Sequence, residues 1–99
     1  MFFVVNTSHK PGRVKTGSDE QLAFADFLRN HPDHPDVVVH NAGPTHEHDF
    51  DTADGFLLIV EAPSLDAVRA FVDDSSYCKA GTLSDVQIRM WDWRTGRPD

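Results

Sequence analysis

A chain of 99 residues, 39% hydrophobic and 25% charged, has the size and balance of one folded domain with a single modest core and excludes a disordered chain. Its formal net charge of -7 disfavours polyanionic partners, so neither nucleic acid nor an anionic membrane surface is expected. A single cysteine, Cys78, allows no internal disulfide, the opening MFFVVNTS lacks the charged start of a signal peptide, and no apolar run nears the roughly 20 residues of a membrane span; these features fit a cytoplasmic protein, and no motif calls for a cofactor.

Residues 2–6, FFVVN, are aromatic and β-branched and predict a strand. TSHKPGRVKTG, with its proline and glycines, predicts a loop. SDEQLAFADFLRNH then carries helix-start chemistry: Ser18 as N-cap, Asp19 and Glu20 in the first turn, Gln21 at the capping-box position. Phe24, Phe27 and Leu28 fall on one helical face, and Pro32 and Pro35 stop the helix. VVVHNA predicts a second strand ended by Gly43 and Pro44, THEHDFDTAD a polar connection, and GFLLIVEA a third strand. PSLDAVRAFVDD predicts a second helix capped by Ser64, with Leu65, Val68, Phe71 and Val72 as its apolar face. SSYCKAGTLS is a connection or short helix, DVQIRMWDW a fourth strand, and residues 94–99 a polar tail to a single domain spanning 1–99.

The order β-α-β-β-α-β predicts a ferredoxin-like α+β sandwich, with both helices on one face of an antiparallel sheet. Such a sheet should alternate apolar and polar residues, yet FLLIV is apolar on both faces. In the last strand Val86, Ile88 and Met90 share one face, and Gln87, Arg89, Trp91 and Trp93 share the other. Tryptophans facing away from the helices either sit at a strand end half-covered by the tail or take a second sheet as cover; the second reading is favoured and predicts a homodimer in which two sheets pack face to face and leave a cleft.

Two short motifs carry a resemblance. NAGP (41–44) resembles the AGP of YciI-like (YCII-related) proteins, and DDSSYCKAGTLSDVQI (73–88) is similar to that family's D-x-D-P-Y/F-x-x-A-G-(apolar) segment and the strand after it. The order of elements matches over nearly the whole chain. The resemblance implies a ferredoxin-like fold, a dimer of the dimeric α+β barrel type, a small pocket beside the sheet, and lyase- or isomerase-like chemistry on oxygenated ring compounds. It also implies a histidine in the first helix and an aspartate before a Pro-Tyr/Phe pair, which together act as a positioned general base. This chain departs at both places. Gln21 or a neighbour stands where the histidine would be, and Ser75 and Ser76 replace the Asp-Pro before Tyr77. A glutamine takes no proton at neutral pH, and a serine does not orient a base as a carboxylate does, so the pair does not carry over residue for residue.

The base must then come from elsewhere. Alternation puts Val38, His40 and Ala42 on one face of the second strand and Val37, Val39 and Asn41 on the other. His40 is either a core histidine bonded to backbone or a base facing the cleft. Gln21, Ser75 and Ser76 are expected to position a substrate, and Tyr77, Trp91 and Trp93 either line a pocket for a flat ring or pack the dimer. His46 and His48, near Asp49 and Asp51, have metal-ligand chemistry but no fixed partner, so a solvated turn without metal is expected. Lys10, Arg13 and Lys15 form either a lid that draws in an anion or a solvated loop, and Cys78 is expected to be a small buried apolar residue. Together these features predict a small-molecule-binding protein that works by proton transfer on an aromatic or oxygenated acid. The competing readings are a binding module without turnover and, on weaker grounds, a metal-binding protein.

Overall fold

In the computed structural model, which describes residues 1–12 and 14–97, the chain runs β1 (Phe2–His9), β2 (Val14–Lys15), α1 (Asp19–Arg29), β3 (Val38–Thr45), β4 (Thr52–Ala53), β5 (Gly55–Glu61), α2 (Leu65–Asp73), α3 (Ser76–Lys79) and β6 (Leu83–Trp91). The four long strands form an antiparallel sheet in the order β3-β5-β1-β6, with β1 and β5 central. This is the expected ferredoxin-like α+β arrangement, with a ribbon of β2 against β4 added to it. Arg13, counted among the basic loop residues, and the last two residues of the polar tail lie outside the described residues.

The caps form where the sequence puts them. The Ser18 hydroxyl accepts the Gln21 amide at 3.3 Å, and the Ser64 hydroxyl accepts the Ala67 amide at 3.1 Å. Each satisfies an amide that the helix start leaves without a partner. Gln21 returns the bond one residue earlier than a strict capping box does, its Oε1 accepting the Gly17 amide at 2.8 Å.

Register then decides the faces. Phe3 lies opposite Val60 and Met90, Val5 opposite Leu58 and Ile88, and Thr7 opposite Phe56 and Val86. Residues directly opposite in an antiparallel pair share a face. That face is the core: Phe3, Val5, Phe56, Leu58 and Val60 are buried, as are Phe24 of α1 and Val68, Phe71 and Val72 of α2. Each such side chain contributes about 1.5–3 kcal/mol when fully removed from water. Leu65, expected on the buried face of α2, is 46% exposed, because it sits in the first turn beyond the edge of the core.

Two strands run past their expected C-terminal ends. β1 continues to His9, because Thr7 and His9 extend the inward alternation of Phe3 and Val5. β3 does not stop at Gly43 and Pro44 but runs to Thr45, with Pro44 opposite Phe56. A proline fits there because β3 is an edge strand and needs no amide on its outer side. β3 also carries a register shift between Val39 and Asn41, so Ala42 lies opposite Leu58 on the core face and does not share a face with His40. Gly55 opens β5 where a Cβ would collide with the Thr7 carbonyl oxygen, so only a glycine lets the two central strands close up there.

The other face of the sheet has no helix over it. Val4, Leu57 and Ile59 interleave there with Asn6, Gln87 and Arg89, and Phe2 lies opposite Trp91. Leu57 is 40% exposed and Val38 50% exposed. A second copy of the sheet is the expected cover. Sedimentation of the purified protein should therefore show a dimer, and Leu57→Lys with Ile59→Lys should convert it to monomer. A wild-type protein that stays a soluble monomer at micromolar concentration contradicts the face argument.

Candidate functional site

Between α1 and the strands β3 and β5 lies a cavity of about 370 Å³. Phe24, Leu28, Val39, Phe56 and Tyr77 give it an apolar wall, and Gln21, Arg29 and Asn41 bring polar groups to it. Its size and its few polar groups on an apolar lining are those of a small-molecule site. The inner end is aromatic. The Phe24 and Tyr77 rings stack with centroids 4.2 Å apart and planes 10° from parallel, and Phe56 lies 4.5 Å from Phe24.

Polar groups around Tyr77 lack partners. Gln21 spends its carbonyl oxygen on the Gly17 amide, and its Nε2 is buried with no acceptor among the described residues. The Ser76 hydroxyl, next to Tyr77 in the chain, is buried with no partner among the described residues, and so are both ring nitrogens of His9. The His9 ring meets Tyr77 edge-on at 4.8 Å. A buried polar atom left unsatisfied costs roughly 1–3 kcal/mol, so such a group is expected to meet water or a ligand. These atoms come from three elements, β1, α1 and α3: Gln21 lines the cavity with Tyr77, whereas His9 lines a separate hollow with Lys10, Glu47, His48 and Asp54.

His9 is 6% exposed and is placed by a register shift between Ser8 and His9 where β1 meets β6. Its amide donates to the Asp54 carbonyl at 2.6 Å, and the next amide, of Lys10, donates to the Thr82 carbonyl at 2.8 Å. Burial pushes the His9 imidazole below its ordinary pKa of 6.5, and the nearby Asp54 and Glu20 carboxylates oppose that shift. Burial, with a smaller contribution from Glu20, pushes the Tyr77 phenol up to about 12, so it stays protonated and is a donor at neutral pH.

The residues singled out in the sequence fall in three places. Gln21 and Tyr77 line the cavity. Ser75 is 1% exposed and caps α3, accepting the Cys78 amide at 3.3 Å and donating to the Val72 carbonyl at 2.6 Å, with Ser76 behind it. Residue 40 belongs to the cavity wall, but its ring meets side chains of the opposite sheet face: His40 Nε2 is 2.9 Å from Glu61 Oε1, and the ring lies 5.6 Å from Phe2 and 6.0 Å from Trp93. Trp91 is also on that face, stacked on Trp93 at 4.7 Å, beside a second hollow of about 390 Å³ that Glu61 and Arg97 help line. His40 thus borders the cavity at the edge strand while its ring meets the outer face, and Trp91 lies apart from Gln21 and Tyr77.

His9 carried a signal that a loop reading of TSHKPG hides: the period-two series Phe3, Val5, Thr7, His9 places it on the core face. In the polar connection, His46 Nδ1 lies 3.0 Å from the Thr52 carbonyl, whereas His48 is exposed with Glu47 at 3.8 Å. Among the described residues no three metal-ligating side chains converge. Cys78 is half-buried rather than fully enclosed, and Lys10 and Lys15 are exposed.

A profile of the YCII-related domain matches residues 1–92. Among solved structures, 5-chloro-2-hydroxyhydroquinone dehydrochlorinase (TftG) of Burkholderia phenoliruptrix AC1100, determined in complex with 2,5-dihydroxybenzoquinone, is similar at 27% identity and a TM-score of 0.74, over 93% of this chain and 94% of that one. At3g17210 from Arabidopsis thaliana is similar at 14% identity and a TM-score of 0.47, over 98% of each chain. A search of curated proteins gives no match.

Two outcomes follow from the geometry. Because the folded-state pKa of His9 is depressed, the unfolded chain binds more protons, and stability falls as pH drops below about 6.5 towards the lowered value. Denaturant titrations at pH 7 and pH 5 should show a smaller loss for His9→Asn than for wild type; an equal loss contradicts the burial of a neutral imidazole. Changing His46 and His48 together to alanine should cost less than about 1 kcal/mol, one surface hydrogen bond, in the same titration, and added zinc should not raise the midpoint.

Proposed function

This chain belongs to the YCII-related family, and from that premise we propose that it binds a small oxygenated ring compound in the cavity beneath α1 and acts on it by proton transfer, as a lyase or isomerase. One observation carries the reading. The cavity beneath α1 ends in the stacked Phe24 and Tyr77 rings, and its otherwise apolar lining carries the polar groups of Gln21, Arg29 and Asn41. A flat ring slides against the Phe24–Tyr77 stack, and oxygen substituents on its rim meet the polar groups of Gln21, Arg29 and Asn41. The similar dehydrochlorinase holds a ligand of this kind, a six-membered ring with hydroxyl and carbonyl oxygens round its edge. Elimination and isomerisation of such rings begin with loss of a proton, so they need a base.

A second reading rests on the His40–Glu61 contact at 2.9 Å. A carboxylate on one imidazole nitrogen fixes the tautomer and leaves the other nitrogen as a base. It lies beside the hollow bordered by Phe2 and Trp93, and it acts on a ligand held on the uncovered face, in the cleft that a second copy of the sheet would close.

Calorimetric titration with 2,5-dihydroxybenzoquinone should show one site per chain, and Gln21→Ala should weaken it about tenfold, the worth of one buried hydrogen bond. Trp91→Ala should leave binding to the cavity unchanged and weaken it only in the second reading. Chloride release from 5-chloro-2-hydroxyhydroquinone tests turnover. Binding without release of chloride or conversion of any related ring acid favours a non-catalytic binding module, and absence of binding by wild type removes the ligand assignment.

A further inference from the structure

Arg29 stands in the last turn of α1, where a cation suits the helix dipole wherever its side chain points. Its surroundings go beyond what the dipole requires. Arg29 borders the cavity beneath α1, and no other lysine or arginine does so among the described residues. The same lining holds no aspartate or glutamate, although the chain has 16 acidic residues and a net charge of -7. Among the described residues the guanidinium has no ion pair, hydrogen bond or ring contact, whereas Arg94 pairs with Asp92 at 2.8 Å and Arg97 lies over the Phe2 ring. Asp26, on the preceding turn of α1, does not reach it, and Asp33 lies beside Lys79 at a different hollow.

The cavity has a direction along α1. The Phe24 ring, stacked on Tyr77, forms its aromatic end. Leu28 and Arg29 follow towards the start of β3, to which His31 Nε2, 2.9 Å from the Val37 carbonyl, ties the end of the helix. From Phe24 to Arg29 the helix rises about 7.5 Å. A six-membered ring lying against the stack and bearing an acid group on its far edge covers that span, with the length of the arginine side chain to spare.

We propose that Arg29 makes the cavity selective for anions: the ring compound carries a carboxylate or an ionised hydroxyl on the edge away from Tyr77, and the Arg29 guanidinium holds it. The proposal rests on the ligand reading above and names the class of ring within it. The aromatic stack takes a flat ring whatever its charge, so discrimination falls to the cation. A guanidinium offers paired N–H donors that match the two oxygens of a carboxylate, a geometry an ammonium lacks. The long-range field of a chain with net charge -7 repels anions, so selection comes from contact at Arg29 and not from steering. Arg29 is exposed and water competes for it, which sets the gain on the order of tenfold rather than thousands.

The test compares two probes that differ in charge but hardly in shape, 2,5-dihydroxybenzoate and 2,5-dihydroxybenzamide, with 2,5-dihydroxybenzoquinone as the reference ligand. In calorimetric titrations at pH 7 the wild-type protein should bind the acid about tenfold more tightly than the amide. Arg29→Gln, checked for folding by circular dichroism, should weaken the acid to within about twofold of the amide and leave the amide unchanged. Arg29→Lys should restore part of the preference, since it keeps the charge and loses the paired donors. A quinone that binds wild type while the acid gains nothing over the amide overturns the proposal and spares the cavity reading. So does Arg29→Gln that keeps the preference, or that weakens both probes alike. If none of the three compounds binds wild type, the ligand reading falls and the role of Arg29 falls with it.

Discussion

The ring of Tyr77 is the contact on which the site's geometry depends. It stacks on Phe24 of α1, takes the edge of His9 from β1 and lies 5.9 Å from Phe56 of β5, so it meets three separate elements at once. Its place is set locally by Ser75, whose hydroxyl caps α3 and turns the chain back towards the sheet. Removing that ring would leave a void, loosen α1 from the sheet and open the end of the cavity. Aromatic packing settles the shape here, and the polar groups of Gln21, Arg29 and Asn41 along the cavity give the shape a chemical use.

The two sheet faces are occupied in different ways. The inner face is covered by α1 and α2 and keeps the cavity at one side, under α1. The outer face mixes Val4, Leu57 and Ile59 with polar neighbours and holds the His40–Glu61 pair and the stacked tryptophans. Each face therefore has a histidine in a different state. His40 has a carboxylate partner, whereas the His9 ring has none among the described residues and burial lowers its pKa. A carboxylate-bonded imidazole is ready to act as a base where a ligand reaches its other nitrogen.

Much of the fold was legible in the sequence because it rests on local rules. The caps at Ser18 and Ser64 and the split of β6 into an inner Val86–Ile88–Met90 set and an outer Gln87–Arg89–Trp91 set follow from short-range hydrogen bonding and period-two alternation. The missed features depend on partners distant in sequence. β3 runs through Pro44 because it is an edge strand, which only the strand order reveals. The shift between Val39 and Asn41 cancels the alternation that put His40 and Ala42 together. β2 and β4, two residues each, exist because they pair with each other. The site was half legible: the motif around Tyr77 pointed to the cavity, but His9 looked like a loop residue until β1 was extended by three positions.

The most direct measurement is a crystal structure of the protein with a hydroxylated ring ligand soaked in. The account predicts the ring against Phe24 and Tyr77, with its oxygens towards Gln21, Arg29 and Asn41. A ligand seated on the outer face beside His40, with His9 and Gln21 bonded to ordered internal water, would contradict it.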